Sequence, residues 1–344
     1  MIIDVHGHIT HPELLRRYPM PPTLGDIEGM LDRKSELGID LTIVGSPVGF
    51  GTMSLRGHDN FAQPLDELKT FHEWLAETVT KHAPRLAAYA FTNPFGSDEL
   101  LELTAETVRD GGFVGLIVNT SVKGEYLDSE RADSFFELAA ELDVPIFLHP
   151  PAEPVGSDSI SDFRLVEQVA RFCDVTVSLA TLVFGGRLEQ YPNLQFLAAT
   201  AGGAIGLLPA RLDQAYQPRH WGAGKPDQAG APPGPPPGAG PPGGPPRFEN
   251  KISQPPNSYL SQVNVDTANS SVPNHLANLE LMGSDHLLFG TDSPPLATPL
   301  DAAIGLVEQL PISDEDKQKI FRGNAERLFK LRERHPALVQ ATHE

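Results

Sequence analysis

The chain has 344 residues, a length that suits either two average domains or one large α/β barrel, and its 40% hydrophobic content is ordinary for a globular protein. With 26 Lys and Arg against 45 Asp and Glu, the formal charge is −19, which argues against nucleic acid and anionic membrane surfaces as partners. The one cysteine, Cys173 in "RFCDV", excludes an intramolecular disulfide framework and, with no Cys or His beside it, reads as a buried structural thiol in a reducing compartment.

The chain opens "MIIDVHGHIT", an apolar run carrying His6 and His8 two residues apart. In a strand, residues i and i+2 share a face, so both imidazoles project together, either as a metal clamp or as two partly buried rings bonded to backbone. Further strand-like runs follow: "LTIVGSP" from Leu41, "AAYAFTNP" from Ala87, "FVGLIVNTS" from Phe113, "PIFLHPP" from Pro145, "NLQFLAAT" from Asn193, "SQVNVDT" from Ser261 and "HLLFGTD" from His286. Helix-like stretches separate them, among them "TLGDIEGMLDRKSELG", "SERADSFFELAAEL" and "VTVSLATLVFGGRLEQYP". Buried parallel strands alternating with helices predict a (β/α)₈ TIM barrel, a single domain over residues 1–344. Several runs end in a polar residue: His8, Asn119, His149, Thr200, Thr267 and Asp292. In such a barrel those ends form the face where chemistry occurs.

Residues 218–256 interrupt the pattern with dense Pro and Gly and almost no apolar content. The segment predicts a flexible polyproline-like insertion between the sixth helix and seventh strand, rooted near the N-terminal face; a passive linker is favoured over a docking site for a proline-recognising partner. No apolar run is long enough to span a membrane, and Met1 leads straight into a strand without the basic and apolar regions of a signal peptide, so a cytoplasmic location is expected.

His149 and Asp292 each close a strand and are followed by prolines, which fix the backbone beyond them. With His6 and His8 they make three imidazoles and one carboxylate that a closed barrel brings together, a set suited to Zn²⁺, with Mn²⁺ or another divalent ion as the alternative.

The order HxH, "FLHP", "FGG-LE-YPNL", "GGA…RLD", "FGTDSPP" and "GNAERLF" resembles the aminocarboxymuconate-semialdehyde decarboxylase-type branch of the amidohydrolase superfamily, over nearly the whole chain outside the insertion. The resemblance implies a (β/α)₈ barrel with one divalent metal, usually zinc, on His6, His8, His149 and Asp292. It places Asn119 near the substrate and Arg211 across a homodimer interface against a substrate carboxylate; a salt bridge from Arg211 to Asp213 or Glu189 is the competing reading. The implied chemistry is nonoxidative decarboxylation of a small carboxylated aromatic or unsaturated acid. Hydrolysis of an amide or lactone, and a catalytically silent binding barrel, are the alternatives.

One position departs from the pattern. Where this branch usually reads "AHGGGA", the chain reads "ATAGGA", so Thr200 replaces a histidine that assists the metal-bound water. A threonine hydroxyl can bond but cannot shuttle a proton near pH 7, which leaves Asp292 as the protein base. The remaining histidines, among them His11, His58, His72, His82 and His275, read as surface residues.

Overall fold

The computed structural model describes residues 1–161, 163–217, 250–296 and 299–340. Eight parallel strands follow one another around a barrel: β1 (Ile2–Gly7), β2 (Ile39–Val44), β3 (Leu86–Phe91), β4 (Gly115–Asn119), β5 (Ile146–His149), β6 (Phe196–Ala198), β7 (Val263–Asp266) and β8 (Leu287–Leu288). Each pairs in parallel with the next, as in Asn119 opposite His149 and Leu288 opposite Asp266. The seam between β8 and β1 is closed by backbone bonds, Val5 N–H to Phe289 O at 2.9 Å and Asp292 N–H to His6 O at 2.8 Å. The expected (β/α)₈ fold is therefore present.

Helices follow the strands: α1 (Ile27–Ser35), α2 (Leu65–His82), α3 (Asp98–Gly111), α4 (Asp133–Leu142), α5 (Arg171–Phe184), α6 (Pro209–Tyr216), α7 (Val272–Met282) and α8 (Leu300–Glu308). Local chemistry sets their ends. The Asp26 carboxylate caps α1 by accepting from Gly29 N–H at 3.1 Å, which splits the predicted helix "TLGDIEGMLDRKSELG" at that residue. Ser97 caps α3, and Gly112, at φ 67°, ends it in the left-handed region. With helices outside and side chains filling the barrel, every residue of β3 and β4 is buried.

Several sequence-based expectations need correction. The last part of the Pro/Gly-rich insertion packs: Ile252 joins the core, and Ser253 N–H donates to Glu189 Oε2 at 2.8 Å. Residues 218–249 of that insertion lie outside the described residues. Cys173 is exposed on α5 rather than buried. His72, His82 and His275 are buried, not superficial, whereas His58 is exposed. Among the described residues no helix is long and apolar enough to cross a membrane.

Candidate metal centre

Strand periodicity brings His6 and His8 to one side of β1 and its extension, and neighbouring acceptors then fix their rings. His6 Nδ1 lies 2.6 Å from Asp266 Oδ2, and His8 Nδ1 lies 2.8 Å from the carbonyl of Gly45. A carbonyl and a carboxylate only accept, so both Nδ1 atoms carry the proton and both Nε2 atoms present lone pairs. Those two Nε2 atoms stand 3.2 Å apart. Asp292 Oδ1, from the turn after β8, lies 3.1 Å from His8 Nε2 and 3.5 Å from His6 Nε2. His149, at the end of β5, sets its ring edge-on to both, with centroids 5.4 and 5.0 Å away.

One ligand atom from each of these four residues falls within 4.8 Å of all the others. His149 Nδ1 and Asp292 Oδ1 are buried without a hydrogen-bond partner. Lone pairs held this close, as on the two Nε2 atoms 3.2 Å apart with no proton between them, are stable when a cation sits among them. The donor set fits a divalent metal.

The electrostatics agree. Burial disfavours charge on His6, but Asp292, Asp266 and Asp4 outweigh it and raise its proton affinity above the ordinary value; the same negative field attracts a metal ion. Burial, aided by His8, Arg171 and His6, pushes His149 well below its ordinary range, so its ring stays neutral. Burial alone would raise Asp292, yet His6, His8 and Arg171 hold its carboxyl below the usual value and ionised.

Asp266 was not singled out from the sequence, which drew attention to the adjacent Thr267. Besides His6, its carboxylate accepts from Ala201 N–H at 2.9 Å and Ala268 N–H at 3.2 Å. It thus fixes both a candidate ligand and the turn that carries Thr200. That turn is strained: Thr200 and Ala201 both adopt φ 57°, in the left-handed region, which is rarest for a β-branched residue such as Thr200. Beneath His6, the Asp4 carboxylate accepts from Lys34 Nζ at 2.6 Å and Thr291 Oγ1 at 2.6 Å, tying β1, α1 and the β8 turn together.

The donor cluster opens into a cavity of about 470 Å³, lined by His6, His149, Thr200, Asp292 and Arg171 together with apolar groups from Phe172, Leu296 and Leu306. Asn119, buried at the end of β4, donates from Nδ2 to Pro47 O at 2.8 Å, and its Oδ1 has no hydrogen-bond partner. Arg211 is exposed on α6 and has no ion pair among the described residues. The two carboxylates of the competing reading accept from other partners, Glu189 from Ser253 and Tyr259, and Asp213 from Asn257.

The family described as amidohydrolase matches residues 3–331. The chain belongs to the amidohydrolase family. Within it, a gamma-resorcylate decarboxylase from a Polaromonas species is 29% identical over 271 residues, covering 76% of this amidohydrolase and 75% of that protein. Among solved structures, the 5-carboxyvanillate decarboxylase from Sphingomonas paucimobilis superposes with a TM-score of 0.75 at 17% identity, covering 96% of this chain and 98% of its own. A dihydroxybenzoic acid decarboxylase from Polaromonas, solved with bound manganese and 2-nitroresorcinol, gives 0.69 at 22% identity, over 96% and 97%.

Proposed function

We propose that this amidohydrolase is a metal-dependent decarboxylase of a small carboxylated aromatic or unsaturated acid. The observation that carries the reading is the four-residue donor cluster at the strand ends, opening into a cavity of about 470 Å³ that suits one substituted ring. The decarboxylases to which the chain is similar support the choice of reaction.

His6, His8, His149 and Asp292 would hold the ion. Three nitrogens and one carboxylate favour zinc, and manganese, present in the Polaromonas structure, is the alternative. When bound, the ion supplies Lewis-acid stabilisation of negative charge on substrate oxygen. Asp292 handles the proton: it takes one from a substrate hydroxyl and delivers it to the carbon bearing the carboxylate. The carbon–carbon bond then breaks, its electron pair stays with the ring, and CO₂ leaves. Thr200 offers a hydrogen bond from the cavity wall and no proton transfer. Asn119 holds the loop after β2, through Pro47, at the substrate side. Arg211, exposed within one protomer, would reach substrate only across a homodimer, which we propose as the cytoplasmic assembly.

The threonine at position 200 favours a second reading, hydrolysis of an amide or lactone in a rebuilt pocket. Metal-loaded enzyme is to be assayed for CO₂ release from dihydroxybenzoates and related acids, alongside Thr200→His. Metal-dependent CO₂ release supports decarboxylation, and a gain of about 10²-fold in Thr200→His identifies a decarboxylase lacking only its helper base. Loss of activity in Thr200→His on a hydrolysed substrate supports the second reading. Turnover of neither class by a metal-loaded chain would leave a binding barrel.

A further inference from the structure

Among the described residues that line the cavity, Arg171 is the one arginine or lysine. Its guanidinium donates from Nη2 to Pro150 O at 3.3 Å, the carbonyl directly after His149, while its Nε is buried without a hydrogen-bond partner. Among the described residues no carboxylate comes within ion-pair distance of it. Glu167, one turn earlier, and Asp292 act on it only at longer range. A guanidinium carries five N–H donors in a rigid fork and keeps its charge. Leaving most of that fork unmatched in a partly desolvated site is costly unless an anion completes it.

The backbone supplies an independent reason why Arg171 faces inward. Residues Val166–Ala170 form a π turn in which Arg171 N–H reaches Val166 O, five residues back. Such a turn inserts one residue and rotates everything after it around the helix axis; π turns are rare and concentrate at functional sites. The inserted residue puts Arg171 on the cavity wall and leaves Cys173 outside.

We infer that Arg171 is the anion anchor of the cavity, binding the carboxylate of an aromatic acid whose ring lies between α5 and the donor cluster. The inference rests on the proposed function for the class of ligand, and it gives the substrate's acid group a partner within one protomer. Arg171 takes no part in proton transfer. Its contribution is to affinity and orientation.

The test is calorimetric titration of metal-loaded, full-length protein with two probes that differ only by the acid group, 2,6-dihydroxybenzoate and resorcinol. Arg171→Met should weaken the benzoate by about tenfold to a hundredfold, the worth of charge-assisted hydrogen bonds, and leave resorcinol unchanged. Arg171→Lys, which keeps charge but not the fork, should fall between. Elemental analysis and circular dichroism should show the same metal content and fold in all three proteins, and should Arg171→Met misfold, Arg171→Gln takes its place in the titrations. Equal losses for both probes, no loss for the benzoate, or a wild-type chain that binds no benzoate would overturn the inference. Benzoate held through Arg171 without CO₂ release would instead overturn decarboxylation and leave the anchor standing. CO₂ release with unchanged KM in Arg171→Met would do the reverse.

Discussion

Asp266 meets three donors at once, the His6 ring and the amides of Ala201 and Ala268, and is fully shielded from water. Its negative charge holds the His6 proton on Nδ1 and so keeps Nε2 free for a metal. Asp266→Asn preserves size but offers His6 a weaker, neutral acceptor. The expected outcome is a metal affinity lowered about 10- to 100-fold, read by competition with a chelator, with the fold unchanged by circular dichroism. The candidate ligands could be read from the sequence because each lies at or just beyond the end of an apolar strand run and carries a metal-binding group. Asp266 could not be separated from Thr267 in "VNVDT", because the strand end is uncertain by a residue and the two point to opposite faces.

At the scale of elements, α1 carries a buried ion pair that sequence reading passed over. Lys34 is 1% exposed and Asp4 0%. In "MLDRKS" Lys34 stands one turn after Met30 and Leu31, on the buried face of α1, but a lysine amid charged neighbours reads as solvated. Removing one partner strands the other, so Lys34→Met should cost about 3–5 kcal/mol in denaturant unfolding, and Asp4→Asn added to it should recover part of the loss. Cys173 reads as buried in the sequence because a thiol with no Cys or His beside it resembles a small core residue, a ground that carries no information about which way α5 faces after the π turn at Val166–Ala170.

His72, on α2, accepts the amide of Phe91 in β3 on Nε2 at 3.1 Å and is neutral; burial lowers its pKa from 6.5 to about 3. Between those values the unfolded chain binds a proton that the folded chain refuses. The stabilisation is complete above about 6.5 and is lost as the pH falls toward 3, at about 1.4 kcal/mol per pH unit. His72→Gln keeps an acceptor but does not titrate, so its stability should fall less steeply with acid between pH 6 and 4 than that of the wild type, as measured by urea unfolding at each pH.

Across the whole molecule, the Pro/Gly-rich insertion leaves and rejoins the barrel at one place. Asn250 Nδ2 donates to Tyr216 O at 3.2 Å, and Ile252 and Ser253 anchor the returning chain. The barrel already holds the two ends together, so loop length enters only through a closure entropy that changes by about 0.6 kcal/mol per doubling. Deleting Ala223 to Pro246 should therefore move the melting temperature by no more than a few degrees, as followed by calorimetry. A larger fall would mean that the deleted residues pack against the barrel. The alternation of strands and helices was legible because strands such as β3 and β4 are buried on both faces and read as nearly continuous apolar runs.

The seam between β1 and β8 also joins the two most distant stretches of the barrel's sequence. Asp4 accepts from Thr291, 287 residues later in the chain, and Asp292 donates its amide to His6. The first two candidate ligands, on β1 and its extension, are thus separated in sequence from the fourth, which follows β8. No local hairpin or half-barrel contains the complete donor set. A complete donor set therefore requires ring closure, a contact of large sequence separation and of the kind that forms slowly.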